Sequence, residues 1–228
     1  MKRLLAQCTL AAAAVWTVAA TAAFAAPVSG RVSFALNRGQ KPVVNETLVW
    51  LEPVGGRQLR KAAPVTVQMT TRGKMLVPHV AAVPVGSTIT FPNEDPISHN
   101  LFSLSSPNQF DLGLYRAGSG KTHTFTAPGI VNVYCNVHPN MSAVIHVLAT
   151  PYYAFADQNG SFTIADVPAG RYEVVAWNEQ GGTSRASVDV ASSAAAPVAI
   201  TLDARGYRSA PHSNKYGRTY DNPHSKEY

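Results

Sequence analysis

Cysteine is nearly absent: the 228 residues hold two, Cys8 and Cys135. That scarcity excludes a disulfide framework, a four-cysteine zinc site, an iron–sulfur cluster and a C-x-x-C-H haem attachment. Helix-period patterning is missing too. So is an apolar run strong enough to cross a membrane. A span takes about 20 strongly apolar residues, and the N-terminal run is largely alanine. No nucleic-acid motif occurs, and neither a Ser-His-Asp order nor paired carboxylates in a catalytic setting are found. What chemistry the chain performs must come from few residues.

The first residues, "MKRLLAQCTLAAAAVWTVAATAAFAAP", say where it would act. Lys2 and Arg3 form a short basic start, an apolar stretch follows, and Ala23-Phe24-Ala25 offers the small-x-small pattern of a signal-peptide cleavage site. Residues 1–25 are therefore expected to be a signal peptide cut near Ala25, giving a periplasmic or secreted protein with no transmembrane span after its removal. Cys8 precedes the apolar run and follows Gln7, so it is no lipoprotein cysteine. It leaves with the signal, and a lone Cys135 remains in an oxidising compartment, where an exposed thiol is a liability. A buried core cysteine and a metal-held thiolate both answer that problem.

Charge is unevenly spread. Losing Lys2 and Arg3 takes the formal +6 to +4, and the segment from Ala204 onward carries +3 of it. That segment, 204–228, is rich in Gly, Ser, Asn and Pro without hydrophobic periodicity. It reads as a flexible basic tail with a docking role.

The hydrophobic content, 46%, suffices for one core or two small ones. Runs such as "VSGRVSF", "ETLVWL", "STITF", "IVNVYC", "SAVIHVLA", "RYEVVAW" and "VAITL" are rich in Val, Ile, Thr and aromatics, with turn residues between them. Many short strands at close spacing predict an all-β sandwich architecture. Gly86, Gly129 and Gly160 fall at expected turns, the last in "DQNGSF", a hairpin signal.

"YCNVHPNM" places Cys135, His138 and Met141 at three-residue steps after a strand, with Pro139 and Asn140 forcing a turn. A fourth candidate, His99, lies in "DPISHN" after a turn rich in Pro and Asp. A thiolate, two imidazoles and a weak thioether are the ligand set of a trigonal blue-copper site. Structural zinc generally needs four Cys/His ligands, and this set is one short. The competing reading is a structural cysteine with incidental neighbours. His79, His123 and His146 lie in strand-like runs and read as surface or satisfied histidines. His212 and His224 in the tail make no motif.

Two family resemblances follow from these stretches. "KMLVPHVAAVPVGSTITFPNEDPISHNLFSL" and "KTHTFTAPGIVNVYCNVHPNM", within residues 64–149, resemble the cupredoxins of the plastocyanin and amicyanin group, with an amicyanin-like short loop and a likeness to exported methylamine-utilisation proteins. The resemblance implies a Greek-key copper domain with one type 1 copper per chain, held by His99, Cys135, His138 and Met141. It also implies that Asn100 ties the first-ligand strand to the ligand loop. "DQNGSFTIADVPAGRYEVVAW" is similar to the carboxypeptidase regulatory-like family, a smaller transthyretin-like sandwich, with Gly160, Phe162, Pro168, Gly170 and Tyr172 on its pattern. Residues 27–53 and 150–203 would form that sandwich, with the copper domain inserted in it.

Such a site keeps no open position for substrate, so the chain is expected not to be an enzyme. Tyr134 and Asn136 beside the thiolate, in place of histidines, exclude wiring to a multicopper cluster. The expected role is a one-electron carrier between periplasmic redox partners, such as a c-type cytochrome or a dehydrogenase, with His138 as the exit point and no nucleic-acid partner. The alternative is copper binding or transport, or a protein- or glycan-interaction module.

Overall fold

Branched and aromatic side chains pack well on a pleated surface, and sequences rich in them favour extended backbone. The computed structural model describes residues 25–191, 195–209 and 211–220, which form seventeen strands and one 3-10 turn, Val44–Glu46. The all-β class read from the sequence is the class observed. Residues 1–24, with most of the expected signal peptide and Cys8, lie outside the described residues, as does His224. Among the described residues no helix is long and apolar enough to cross a membrane.

Four sheets enclose two cores. One sheet runs β14 (Ser161–Pro168), β1 (Ala25–Ala35), β17 (Val198–Asp203); its counterpart runs β13 (Tyr153–Phe155), β2 (Leu48–Pro53), β15 (Gly170–Asn178), β16 (Gly182–Val190). Between them lie Val28, Val32, Leu51, Phe162, Tyr172 and Ile200. The third sheet runs β10 (Gly118–Thr124), β7 (Thr88–Asn93), β4 (Thr70–Arg72), β5 (Met75–Val77), with β3 (Thr66–Gln68) also on β7. The fourth runs β6 (Val80–Pro84), β12 (Ser142–Leu148), β11 (Gly129–Cys135), β8 (Leu101–Ser103), β9 (Phe110–Asp111). Ile89, Phe91, Leu101, Phe125, Val133 and Ile145 fill the core between these two.

The opening strands pair far along the chain. β1 lies antiparallel to β14 and parallel to β17, while β2 lies between β13 and β15. None of the strands between residues 64 and 149 pairs with either. Where the two cores approach, Trp50 and Trp177 pack with Val80 and Val144. His146 sits between the two indoles, at 5.7 and 4.3 Å between ring centroids. His79 Nε2 meets Glu179 Oε2 across the same boundary at 2.7 Å.

The turn at "DQNG" forms as expected, but it joins no hairpin. Asp157 O accepts from Gly160 N, and Gly160 holds φ +80, where a Cβ would strike Val32 O. The flanking strands part there: β13 goes to β2 and β14 to β1. The turn carries the chain from one sheet of the sandwich to the other, because each strand's apolar face is completed by a different sheet.

Candidate metal centre

Strand alternation delivers the thiol. In β11 the buried positions are Val131, Val133 and Cys135, so the cysteine occupies the last inward slot before the chain turns. The loop then closes on itself. Met141 N donates to His138 O at 3.2 Å, Cys135 N donates to Met141 O at 3.0 Å, and Val137 N points at Cys135 Sγ from 3.4 Å. Asn136 N donates to Asn100 O at 2.8 Å, fixing the loop to the segment that bears His99. His99 is held by a backbone bridge to Tyr115 and is fully buried.

His99, Cys135 and His138 bring one ligand atom each within 4.8 Å of one another. Cys135 Sγ is 3.8 Å from His99 Nδ1 and 3.6 Å from His138 Nδ1. A first-row ion with bonds of about 2.3 Å to thiolate and about 2.0–2.1 Å to imidazole, opened to about 110–120°, separates sulfur and nitrogen by about 3.6–3.8 Å. The triangle therefore has the size of a metal site. Met141 is buried in the same cluster as Cys135, in the turn that closes the loop.

A residue the sequence reading missed orients the first histidine. Asp95 Oδ2 accepts from His99 Nε2 at 2.8 Å, which leaves Nδ1 with its lone pair facing the sulfur. Burial works against the Asp95 charge, but N–H groups of Lys74 (3.0 Å) and Gly73 (2.5 Å) with His99 hold its carboxyl below the usual range. Asn93, the last inward position of β7, accepts from Asp95 N and donates to Ile97 O, which shapes the loop between them. Burial, with the charges of His99 and Lys74, lowers the pKa of His138. Proton loss there leaves a lone pair for a ligand.

Asn100 reaches the ligand loop through its backbone. Its side chain instead donates to Asp111 Oδ1 at 2.6 Å. The C-terminal segment, expected to be flexible, lies against this same surface. Lys215 Nζ meets Asp111 Oδ2 at 2.6 Å, Lys215 N donates to Asn136 Oδ1 at 3.0 Å, and Tyr220 Oη donates to Cys135 O at 2.7 Å. The His212 ring stacks on Tyr134 with centroids 4.4 Å apart.

The remaining histidines stay out of the cluster. His79 bonds Ser142 O and Glu179, and His123 stacks on Phe110 at 4.6 Å. His146 departs from the expectation of a satisfied side chain, since its Nε2 is buried with no partner among the described residues. Burial lowers its pKa to about 4.

A family model described as polysaccharide lyase family 4, domain II, matches residues 121–198, a span that runs through strands of both cores. No curated protein matches the chain. Among solved structures, a purple cupredoxin from Nitrosopumilus maritimus is 24% identical over 36% of this chain and 99% of its own, with a TM-score of 0.32. A reduced tryptophan-to-tyrosine variant of amicyanin is 20% identical over 36% of this chain and 80% of its own, with a TM-score of 0.34. A copper-containing nitrite reductase from Thermus scotoductus SA-01 is 25% identical over 51% of this chain and 28% of its own, with a TM-score of 0.34.

Proposed function

We propose that the chain is an exported type 1 copper protein that carries single electrons between periplasmic redox partners. The observation that carries the reading is the triangle of His99 Nδ1, Cys135 Sγ and His138 Nδ1, whose edges from sulfur are 3.8 and 3.6 Å. Met141 completes the set, and a thioether beside a thiolate and two imidazoles favours copper over zinc. When bound, the ion supplies a one-electron couple.

The chain's own residues supply the rest. Asp95 fixes the His99 tautomer, the buried Cys135 keeps water from the sulfur, and half-buried His138 lies at the surface of the ligand loop. Ile97, Leu114 and Val137 are exposed, each within two residues of a ligand or of Tyr115. They suit a small, transient apolar contact. Lys74 near His138, with exposed Arg218 in the C-terminal segment, favours an acidic partner such as a c-type cytochrome or dehydrogenase. Residues 27–53 and 150–203 would act as one accessory sandwich around an inserted copper sandwich, 64–149. The set leaves no position for a substrate, which argues against an enzyme.

Adding Cu(II) should give an intense visible thiolate-to-copper band and a reversible voltammogram, and Cys135→Ser should remove both. A colourless protein, or one that releases copper on reduction, would favour copper transport. The polysaccharide lyase description of the matching family model favours a second reading, in which the accessory sandwich binds a glycan. Absence of retention on polysaccharide affinity gels would reject it.

A further inference from the structure

We propose that residues 212–220 are a built-in clamp on the metal-ligand loop, with Tyr220 and Lys215 as its positioning residues. The segment has local structure of its own. Asn214 Oδ1 accepts from Tyr216 N and Arg218 N, both at 3.0 Å, Asn214 N donates to Arg218 O at 2.8 Å, and Gly217 takes φ +74 to close the turn. This turn projects three groups onto one face of the loop.

Those groups engage both ligand-bearing segments. Tyr220 Oη reaches the carbonyl of Cys135 itself, and Lys215 N reaches the side chain of the next residue, Asn136. Lys215 Nζ holds Asp111, whose other oxygen holds Asn100, the neighbour of His99. His212 lies flat on Tyr134, which precedes Cys135, and its Nδ1 is 3.2 Å from Tyr220 Oη. The clamp thus spans the chain from Tyr134 to Asn136 and couples it to the segment that bears His99 through one lysine. Its groups bond backbone and neighbouring side chains, so it acts on the position of the ligands.

The function assigned to the clamp rests on the reading of His99, Cys135 and His138 as metal ligands, but its mechanical part is testable without metal. Cys135 is fully buried, so its alkylation requires the loop to open. In the metal-free protein, the rate of iodoacetamide labelling at Cys135, followed by mass of the peptide that carries it, should rise roughly fivefold in Tyr220→Phe, the loss of one net hydrogen bond. It should rise by about tenfold or more in a chain ending at Gly206, where every clamp contact is gone. Lys215→Met, which keeps the backbone bond to Asn136, should fall between wild type and the shortened chain. Thermal melting of Tyr220→Phe should fall by no more than about 2–4 °C, because the phenyl ring keeps its place against His212 and only the one hydrogen bond is lost. In the copper-loaded protein the same substitution should move the midpoint potential. Wild-type labelling rates in all three variants would overturn the clamp. Faster labelling in a full chain that forms no thiolate-to-copper band would keep the clamp and sink the copper reading.

Discussion

The two sandwiches are built from the same kind of strand, yet they bury different things. In the one that contains β1, β2 and β13 to β17, Val28, Leu51, Phe162, Val174 and Ile200 form an interior with few polar groups, chiefly Thr47 and Asn178 at one end. In the other, Thr71, Ser87, Asn93, Asp95, His99, Asn100, Ser103 and Asn108 are all buried. Most of these flank the loop before His99 and the strand after it. Burying polar groups costs free energy unless each finds a partner, and around His99 they find one another: Asn93, Asp95 and His99 are joined by hydrogen bonds. One core is almost entirely apolar; the other gathers its buried polar groups at one pole, around the His99, Cys135 and His138 cluster.

The sharpest way to break that division is a core truncation in the apolar sandwich. Phe162→Ala should destabilise the protein by about 3–5 kcal/mol in urea unfolding while leaving the thiolate-to-copper band unchanged below the transition. A lost band in the still-folded protein would mean that the two halves are not separable.

His146 tests the seam between them. Its folded pKa, about 4, lies below the unfolded value of 6.5, so the stability it contributes is full above pH 6.5 and is lost as pH falls toward 4. The loss should amount to about 3 kcal/mol in the metal-free chain. His146→Phe, which removes the unpartnered Nε2, should flatten that slope between pH 6.5 and 4. An unchanged slope would place the acid sensitivity elsewhere.

The smallest expected effect sharpens the polar pole. Asp95→Asn should weaken metal binding by about 10–100-fold in a competition titration, since His99 loses its orienting carboxylate, while the fold stays intact. Wild-type affinity would make Asp95 a purely structural residue.

Much of this was legible beforehand, for physical reasons that differ from residue to residue. Runs of Val, Ile, Thr and aromatics between turn residues exposed β1, β7, β11, β12, β15 and β17, because their buried residues are mostly apolar. They missed β16, whose "GTSRASVDV" buries only Val188 and Val190. Cys135 and His138 announced themselves by adjacency, and His99 by the turn before it. Asp95 did not, although it stands four residues ahead of His99, because a carboxylate on a turn looks like any solvated one. The C-terminal segment was read as loose for want of hydrophobic period. Its order comes from an Asn214-to-Gly217 turn and from partners some eighty residues earlier, and neither leaves a periodic trace.

The pairing of β1 also sets an order in time. Gly30 faces Val198 across a parallel ladder, and β2 finds its neighbours only in β13 and β15. As the chain emerges from its N-terminus, these two strands have no ladder to join until more than a hundred further residues have been made, whereas the strands between residues 64 and 149 pair among themselves. Strands left waiting in this way offer bare edges to other chains. Strands β1 and β2 are thus enclosed only once their partners among residues 153–203 are in place.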